Sequence, residues 1–302
     1  MNTTIGIVGA GFVGTACEIG FASMPEVTDV LVHDKFKPTD SLEDVVLGSD
    51  LLFLCLPTPM KEDGSCDTSI IRRVLNQIDR ISEESAEKEQ YGAITAVVIK
   101  STVPPGTTNR LQREYPNLAI FFNPEFLTEK NFIEDFANQQ LVVIGAPKNH
   151  YSSALDKVKK FYKAFSEHQK KVHANIQVTD STTAEMLKYA TNCFLAAKVS
   201  FMNEIYDISN AVGGNFEELG KLMALDARVG PTHLQVPGPD GYRGFGKSCF
   251  PKDINALMAV AMQNDVDPLV LESVWAKNML VREHYDWEDL AQVNGDYKKE
   301  AV

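Results

Sequence analysis

The stretch Thr3-Thr4-Ile5-Gly6-Ile7-Val8-Gly9-Ala10-Gly11-Phe12-Val13-Gly14 decides the fold. Residues 3–9 are an Ile- and Val-rich run, the pattern of a buried strand. Three glycines follow at once, then a helix-like segment to Met24, then a second strand over residues 30–33 that ends in Asp34. Each part has a physical use. The first glycine permits a tight turn, the second lets the backbone approach a pyrophosphate, and the third packs helix against strand, so that the helix N-terminus faces the phosphates. Asp34 lies 20 residues after Gly14, where a carboxylate accepts from a ribose 2′-hydroxyl. A 2′-phosphate would be repelled there, so the pattern selects NAD over NADP; Lys35 is the one neighbour that softens the repulsion. A tight turn that merely packs needs no such acid.

Outward from this unit, strands are expected over residues 50–56, 93–100, 118–122, 140–145 and 175–178. Helices are expected over 67–81 and 150–165, and the charged residues 83–89 read as a solvated face or loop. Strands alternating with helices of this length indicate a doubly wound parallel sheet. Ligands of such sheets sit at the carboxyl edge of the strands. The loops predicted there are Pro57-Thr58-Pro59, Ser101-Thr102-Val103-Pro104-Pro105-Gly106 and Asn123-Pro124-Glu125-Phe126-Leu127-Thr128-Glu129. Thr102 reads equally as a cofactor or substrate contact and as a helix N-cap. Glu125 and Glu129 would share a helix face if their turn is helical.

At Asp180 the pattern changes. Ser181 or Thr182 can cap a helix that continues to about Val212 without an interior Gly or Pro, long enough to span domains or form an intersubunit core. Lys188 and Asn192 stand at i and i+4 on one of its faces, although a helical lysine is usually exposed. Gly213-Gly214 ends it. A helix over 215–225, a Gly/Pro-rich loop over 231–246, and helices over 253–263 and 268–284 come next, then a polar tail from Gly295. The fold class is therefore α/β: a Rossmann-type domain over residues 1–179, then an all-α region over 180–302 built on the long helix.

That second region contains Gly244-Phe245-Gly246-Lys247-Ser248-Cys249-Phe250-Pro251-Lys252-Asp253. One cysteine sits in a glycine-rich loop, flanked by Lys247 and Lys252, with Pro251 suited to a helix start. Cations and helix-start amides stabilise a thiolate, whereas an ordinary free cysteine is an inert packing residue.

Composition narrows the function classes. The 302 residues carry 44% hydrophobic and 23% charged side chains and a net charge of −12. That acidity disfavours a nucleic-acid or anionic-membrane partner. The five cysteines are odd in number and lack metal-ligand spacing, which fits free thiols in the cytoplasm and no metal. The N-terminus lacks a signal pattern, and no apolar run is long enough to span a bilayer.

The quoted motifs, with Asp226 and Arg228, fall in one order along the chain, and in that order the chain resembles the UDP-glucose dehydrogenases, within the wider group that oxidises nucleotide sugars to uronic acids. Asn123-Pro124-Glu125-Phe126-Leu127 and Cys249-Phe250-Pro251-Lys252-Asp253 favour the UDP-glucose enzymes over the UDP-N-acetylmannosamine branch. The resemblance implies a metal-free, four-electron oxidation that uses NAD twice. It assigns Lys188 to stabilise the alkoxide, Asn192 to position a water or donate a hydrogen bond, and Cys249 to hold the aldehyde as a thiohemiacetal and then a thioester. Glu125, with Asp253, helps water attack that thioester, and Thr102 and Glu129 position substrate and water. Substrate contacts are assigned to Phe126, Leu127, Glu129, Phe245, Gly246, Lys252 and Arg228, the last to a phosphate, in a neighbouring subunit on one reading. Cofactor contacts are assigned to Gly9, Gly11, Phe12, Val13, Gly14, Asp34, Lys35, Pro57, Thr58, Thr102 and Glu129. A homodimer through the long helix and a role in polysaccharide biosynthesis are implied too. Two departures are visible: family members usually continue into a further Rossmann-type domain that helps hold the uridine diphosphate, and Lys247 stands where a glycine is usual.

Three other readings remain. A two-electron dehydrogenase of the hydroxyisobutyrate or 6-phosphogluconate type shares the Lys/Asn pair but needs no loop cysteine. An enzyme for another nucleotide sugar, such as GDP-mannose, would use one. A non-catalytic subunit would bind NAD or a nucleotide sugar and keep the nucleophile to no purpose.

Overall fold

The computed structural model describes residues 3–87, 96–148, 153–169 and 173–290. The chain divides into two compact units: Met1–Thr58 with Thr68–Lys188, and Pro59–Asp67 with Tyr189–Val302. The division falls inside the long helix, nine residues beyond the 179/180 boundary read from the sequence, and the short segment Pro59–Asp67 joins the second unit.

The first unit is a seven-stranded sheet in the order β2-β1-β3-β4-β5-β6-β7. Its strands are β1 (Thr3–Val8), β2 (Val27–His33), β3 (Leu51–Leu54), β4 (Ala96–Ile99), β5 (Ile120–Phe122), β6 (Leu141–Ala146) and β7 (Asn175–Asp180). Strand side chains alternate between faces, and the core divides accordingly. Ile5, Ile7, Phe53, Val98, Phe121 and Ile144 face one side, where they pack against α1 (Phe12–Ala22), α5 (Phe132–Ala137) and α6 (Ser153–His168). Val8, Leu52, Leu54, Val97, Ile99 and Phe122 face the other, against α2 (Leu42–Gly48), α3 (Ser69–Glu87) and α4 (Thr107–Glu114). Both faces are covered, so these strands read as unbroken apolar runs. Phe21 of α1 anchors the first layer, its ring 4.8 Å from Phe53 and 4.9 Å from Phe161.

Several expectations need correction. The sheet is parallel except at β5–β6, which pair antiparallel. Helix α3 continues through the charged stretch to Glu87, because Glu and Lys are good helix formers whatever their exposure. The last residues of that stretch, the first of the 93–100 strand, residues 150–152 of the 150–165 helix and the polar tail lie outside the described residues. The short helices α2, α4 and α5 carry too few turns to announce themselves by periodicity.

Helix α7 (Ser181–Ala211) is the long helix. Its start is capped by Asp180, whose carboxylate accepts from Thr183 N at 3.0 Å and Thr183 Oγ1 at 2.6 Å, rather than by Ser181 or Thr182. The second unit contains the later turns of α7 with α8 (Phe216–Ala224), α9 (Phe250–Met262), α10 (Leu269–Val281) and a 3-10 turn at Asp286–Glu288. Tyr189, Cys193, Ala196, Phe245, Ile254, Leu257 and Val274 form its main core, joined by Cys66 from the Pro59–Asp67 segment, which is closed by a Met60–Cys66 bridge. Among the described residues no helix is long and apolar enough to cross a membrane.

Candidate active site

The order β2-β1-β3 places the topological switch between β1 and β3, where open α/β sheets bind ligands. The glycine loop lies at the carboxyl end of β1, and its three glycines differ in physical need. Gly9 has φ of 101°, and a Cβ there would strike the Cys55 carbonyl; a Cβ on Gly14 would strike the Gly9 carbonyl. Gly11 has open space where a Cβ would stand, which leaves its backbone approachable by a phosphate. The residues present therefore fit a dinucleotide. Phe12 and Val13 begin α1 behind this loop.

Asp34 Oδ2 accepts from Ala10 N at 2.7 Å and Oδ1 from Phe36 N at 2.9 Å. Each oxygen keeps a second lone pair for a ribose hydroxyl. Lys35 is exposed and lies over the Phe36 ring at 5.4 Å. Lys37, which sequence reasoning passed over, reaches the glycine loop instead and donates to Ala10 O at 2.5 Å.

The loops after the neighbouring strands are tied into one rim. Leu56 N donates to Ser101 Oγ at 2.8 Å, joining the loop of Pro57 and Thr58 to that of Thr102. Thr102 is half-buried and is no helix cap, since Gly106 occupies the N-cap of α4. Residues 123–128 form no helix, so Glu125 and Glu129 share no helix face.

Glu125 instead meets Lys188. Lys188 Nζ lies 2.9 Å from Glu125 Oε1 and donates to Glu125 O at 2.7 Å. Glu125 Oε2 accepts from Leu127 N at 2.7 Å, and the ammonium sits 5.6 Å from the Phe126 ring centre. Lys188 is only 3% exposed, against the usual fate of a helical lysine. A buried cation wrapped by a carboxylate, a carbonyl and an aromatic face is held in one position, as stabilisation of developing negative charge requires.

In the second unit Cys249 is the N-cap residue of α9, with Ser248 Oγ 3.6 Å from its sulfur. The helix starts at Phe250, with Pro251 second, three residues earlier than the sequence suggested. Beneath it Asp253 is almost wholly buried and accepts from Asn192 Nδ2 at 2.6 Å and Lys252 Nζ at 2.5 Å. Asn192 thus directs its amide at Asp253. Burial opposes charge on Lys252, but the Asp253 carboxylate, with Cys66 and Cys249 as further neighbours, outweighs it and lifts the ammonium above its ordinary range. The start of α9 therefore holds a fixed cation, Lys252, three residues after Cys249 and paired with Asp253. Burial, with Asp253, pushes the Cys193 thiol up to about 12, which marks it as an inert neighbour.

Asn278 of α10 and Arg282, its C-cap residue, which the sequence did not single out, hold the cysteine loop. Asn278 exchanges hydrogen bonds with Phe245 N at 2.7 Å and Phe245 O at 3.0 Å. Arg282 is buried and pairs with Asp240 at 2.7 Å and Asp286 at 3.1 Å. A side chain on Gly246 would collide with that pair. Their spacing on an otherwise unremarked helix, four residues apart, is the only signal the sequence offered. Lys247 has φ of 62°, the left-handed region that favours glycine, and its N–H donates to Asp286 Oδ2 at 3.1 Å. Arg228 forks onto Asp226, at 3.0 and 2.6 Å, with its side chain 90% exposed.

Residues 24–166 match the NAD binding domain of the UDP-glucose/GDP-mannose dehydrogenase family, and residues 182–279 match its central domain. The UDP-glucose 6-dehydrogenase of Rickettsia bellii is 34% identical over 256 residues, 83% of this chain and 54% of that protein. The UDP-glucose 6-dehydrogenase of Rhizobium meliloti is 30% identical over 333 residues, 97% of this chain and 71% of that one. A UDP-glucose dehydrogenase from Pyrobaculum islandicum has the same fold with a TM-score of 0.77 and 26% identity, over 93% of this chain and 68% of the other. The chain spans about half the length of the Rickettsia relatives. With two domain matches in order and a relative similar across nearly its whole length, the chain belongs to the UDP-glucose/GDP-mannose dehydrogenase family.

Proposed function

We propose that this protein oxidises UDP-glucose to UDP-glucuronate in two NAD-dependent steps, holding the intermediate on Cys249. The observation that carries the reading is the placing of that thiol at a helix N-cap whose first turn contains the buried Lys252–Asp253 pair, joined by Asn192. A cysteine kept only for packing has no need of such a setting.

NAD, when bound, would supply the hydride acceptor for each oxidation, a second NAD replacing the NADH formed in the first. In the first oxidation the sugar C6 hydroxyl loses a proton to a general base and a hydride from carbon; Lys188 offsets the charge that builds on oxygen. The Cys249 thiolate then adds to the aldehyde carbon, forming a C–S bond, and the new oxyanion takes a proton. Loss of a second hydride and that proton leaves a thioester. Water attacks the thioester carbon, the C–S bond breaks, the carboxylate departs and the thiolate is restored. Glu125 takes the water's proton, and Asp253 supports that step while Asn192 and Lys252 hold it in place. Thr102 and Glu129 position substrate and water. Phe126, Leu127, Phe245 and Gly246 shape the sugar site, and Arg228, solvent-facing in a single chain, meets a phosphate.

The reading is tested by counting NADH released per nucleotide sugar consumed. Two per sugar supports it, one indicates a simple alcohol dehydrogenase, and none indicates a binding subunit. A panel including GDP-mannose and UDP-N-acetylmannosamine sets the substrate. Cys249→Ser should abolish uronate formation; uronate made at the parent rate would remove the covalent step.

Helix α7 also supports a homodimer. Phe194, Phe201 and Ile208 recur every seven residues and are 68%, 56% and 52% exposed, the repeat of a helix-to-helix seam. All five cysteines are free thiols, which supports a reducing, cytoplasmic setting.

A further inference from the structure

Glu185 lies on α7 one turn before Lys188 and is fully buried. The spacing of Thr182 and Glu185 is that of a capping box, which would use the carboxylate on its own helix. The carboxylate turns elsewhere. Its Oε2 accepts from Gly106 N at 2.5 Å, and its Oε1 accepts from Thr108 N at 2.7 Å and Thr108 Oγ1 at 2.6 Å. The N-cap residue of α4, Gly106, offers no side chain to its own helix, so the first-turn amides of α4 are satisfied across 77 residues of sequence. Asn109 Nδ2 adds a bond to Thr182 Oγ1 at 3.0 Å. The first two turns of α7 therefore grip both carboxyl-edge loops: Glu185 holds the end of the Thr102 loop, and Lys188 holds Glu125.

We propose that Glu185 is a positioning residue for the dinucleotide site, fixing the Thr102 loop through Gly106 and Thr108 so that the rim shared with Leu56 and Ser101 stays in its binding geometry. Gly106 N and Thr108 N can only donate, one to each oxygen, so both oxygens accept once the carboxyl is ionised, above about pH 7. A glutamine keeps the shape but turns an N–H₂ group towards one of those donors. The loop end is then released without a cavity.

The inference rests on the dehydrogenase reading only in taking Thr102 to border the cofactor, and its test needs no sugar. The NADH dissociation constant is measured by fluorescence titration of the parent, Glu185→Gln and Thr108→Val, with the melting temperature of each and hydrogen exchange over residues 101–108. The Glu185→Gln constant should rise about fivefold, the ratio given by losing a helix cap of typical strength, with faster exchange in that loop. Thr108→Val, which keeps shape and loses one donor, should rise in the same direction by roughly half that factor. A role confined to stability would lower the melting temperature and leave NADH affinity at assay temperature unchanged. That result for a folded Glu185→Gln overturns the inference. Should Glu185→Gln fail to fold, an unchanged constant for Thr108→Val overturns it. A parent that binds no NADH overturns this inference together with the cofactor assignment. A parent that binds NADH but oxidises no nucleotide sugar overturns the dehydrogenase reading alone and leaves the affinity comparison to decide.

Discussion

The Lys252 ammonium and the Asp253 carboxylate are both buried, and each is tolerable there only because the other is present. Asp253→Asn would leave the buried ammonium facing an amide, and breaking such a pair typically destabilises by about 3–5 kcal/mol. Urea unfolding of the variant should show a loss of that order; a midpoint unchanged from the parent would mean that the pair is exposed in solution. Lys247 presents the opposite case. Its left-handed backbone strains any residue with a Cβ, so Lys247→Gly should raise stability by about 1 kcal/mol. The same variant should raise the Michaelis constant for the nucleotide sugar, if the lysine meets a phosphate. A stabilised variant with an unaltered constant would confine Lys247 to a backbone role. The position of this lysine was visible in the sequence; that its φ is positive was not, because local sequence gives no preference for the left-handed region at Lys.

At the scale of elements, α1 and the start of α7 set the site. The Phe21 ring is fully buried among Phe53, Phe136, Phe161 and Phe165. Phe21→Ala should destabilise the first unit by about 3–5 kcal/mol, seen as an earlier thermal transition, and a loss under about 1 kcal/mol would show that the layer can collapse onto the gap. On α7, burial lifts the Glu185 carboxyl from its ordinary 4.5 to about 7, with its bonds to Thr108 and Gly106 pulling the other way. The folded state thus holds a proton that the unfolded chain has released. The resulting stabilisation is complete below about pH 4.5 and lost as the pH rises through about 7. Relative to Glu185→Gln, the parent should lose on the order of 3 kcal/mol across that window. Melting curves that stay parallel with pH would show an unshifted carboxyl. Helices of three turns or more were legible from the sequence because they run long between helix-breaking residues or repeat an apolar period. The brief α2, α4 and α5 were not, and with α4 went the reason for Glu185.

For the whole molecule the testable consequence is assembly. If the proposed dimer forms through the seven-residue repeat on α7, light scattering should give a dimer mass for the parent and a monomer mass for Phe201→Glu, which places a charge in the middle of that repeat. An identical mass for both proteins would show that the repeat is not the contact. The strands, glycine loop and acid of the Rossmann-type unit were readable, because each is a local signal with a fixed spacing; its three short helices and the antiparallel β5–β6 pairing were not. The second unit was readable mainly through its cysteine loop. Asn278 and Arg282, which brace that loop from α10, carry no local signature.

The sequence alone determined the dinucleotide unit, the long helix and the residues to watch, since turn chemistry, strand alternation and helix period act over a few neighbouring positions. Only the tertiary structure decided their partnerships: that Lys188 is buried against Glu125, that Asn192 and Lys252 converge on Asp253, and that Glu185 caps a helix 77 residues away. Those choices are made by burial, which forces each polar group to find a partner wherever the fold has brought one within reach.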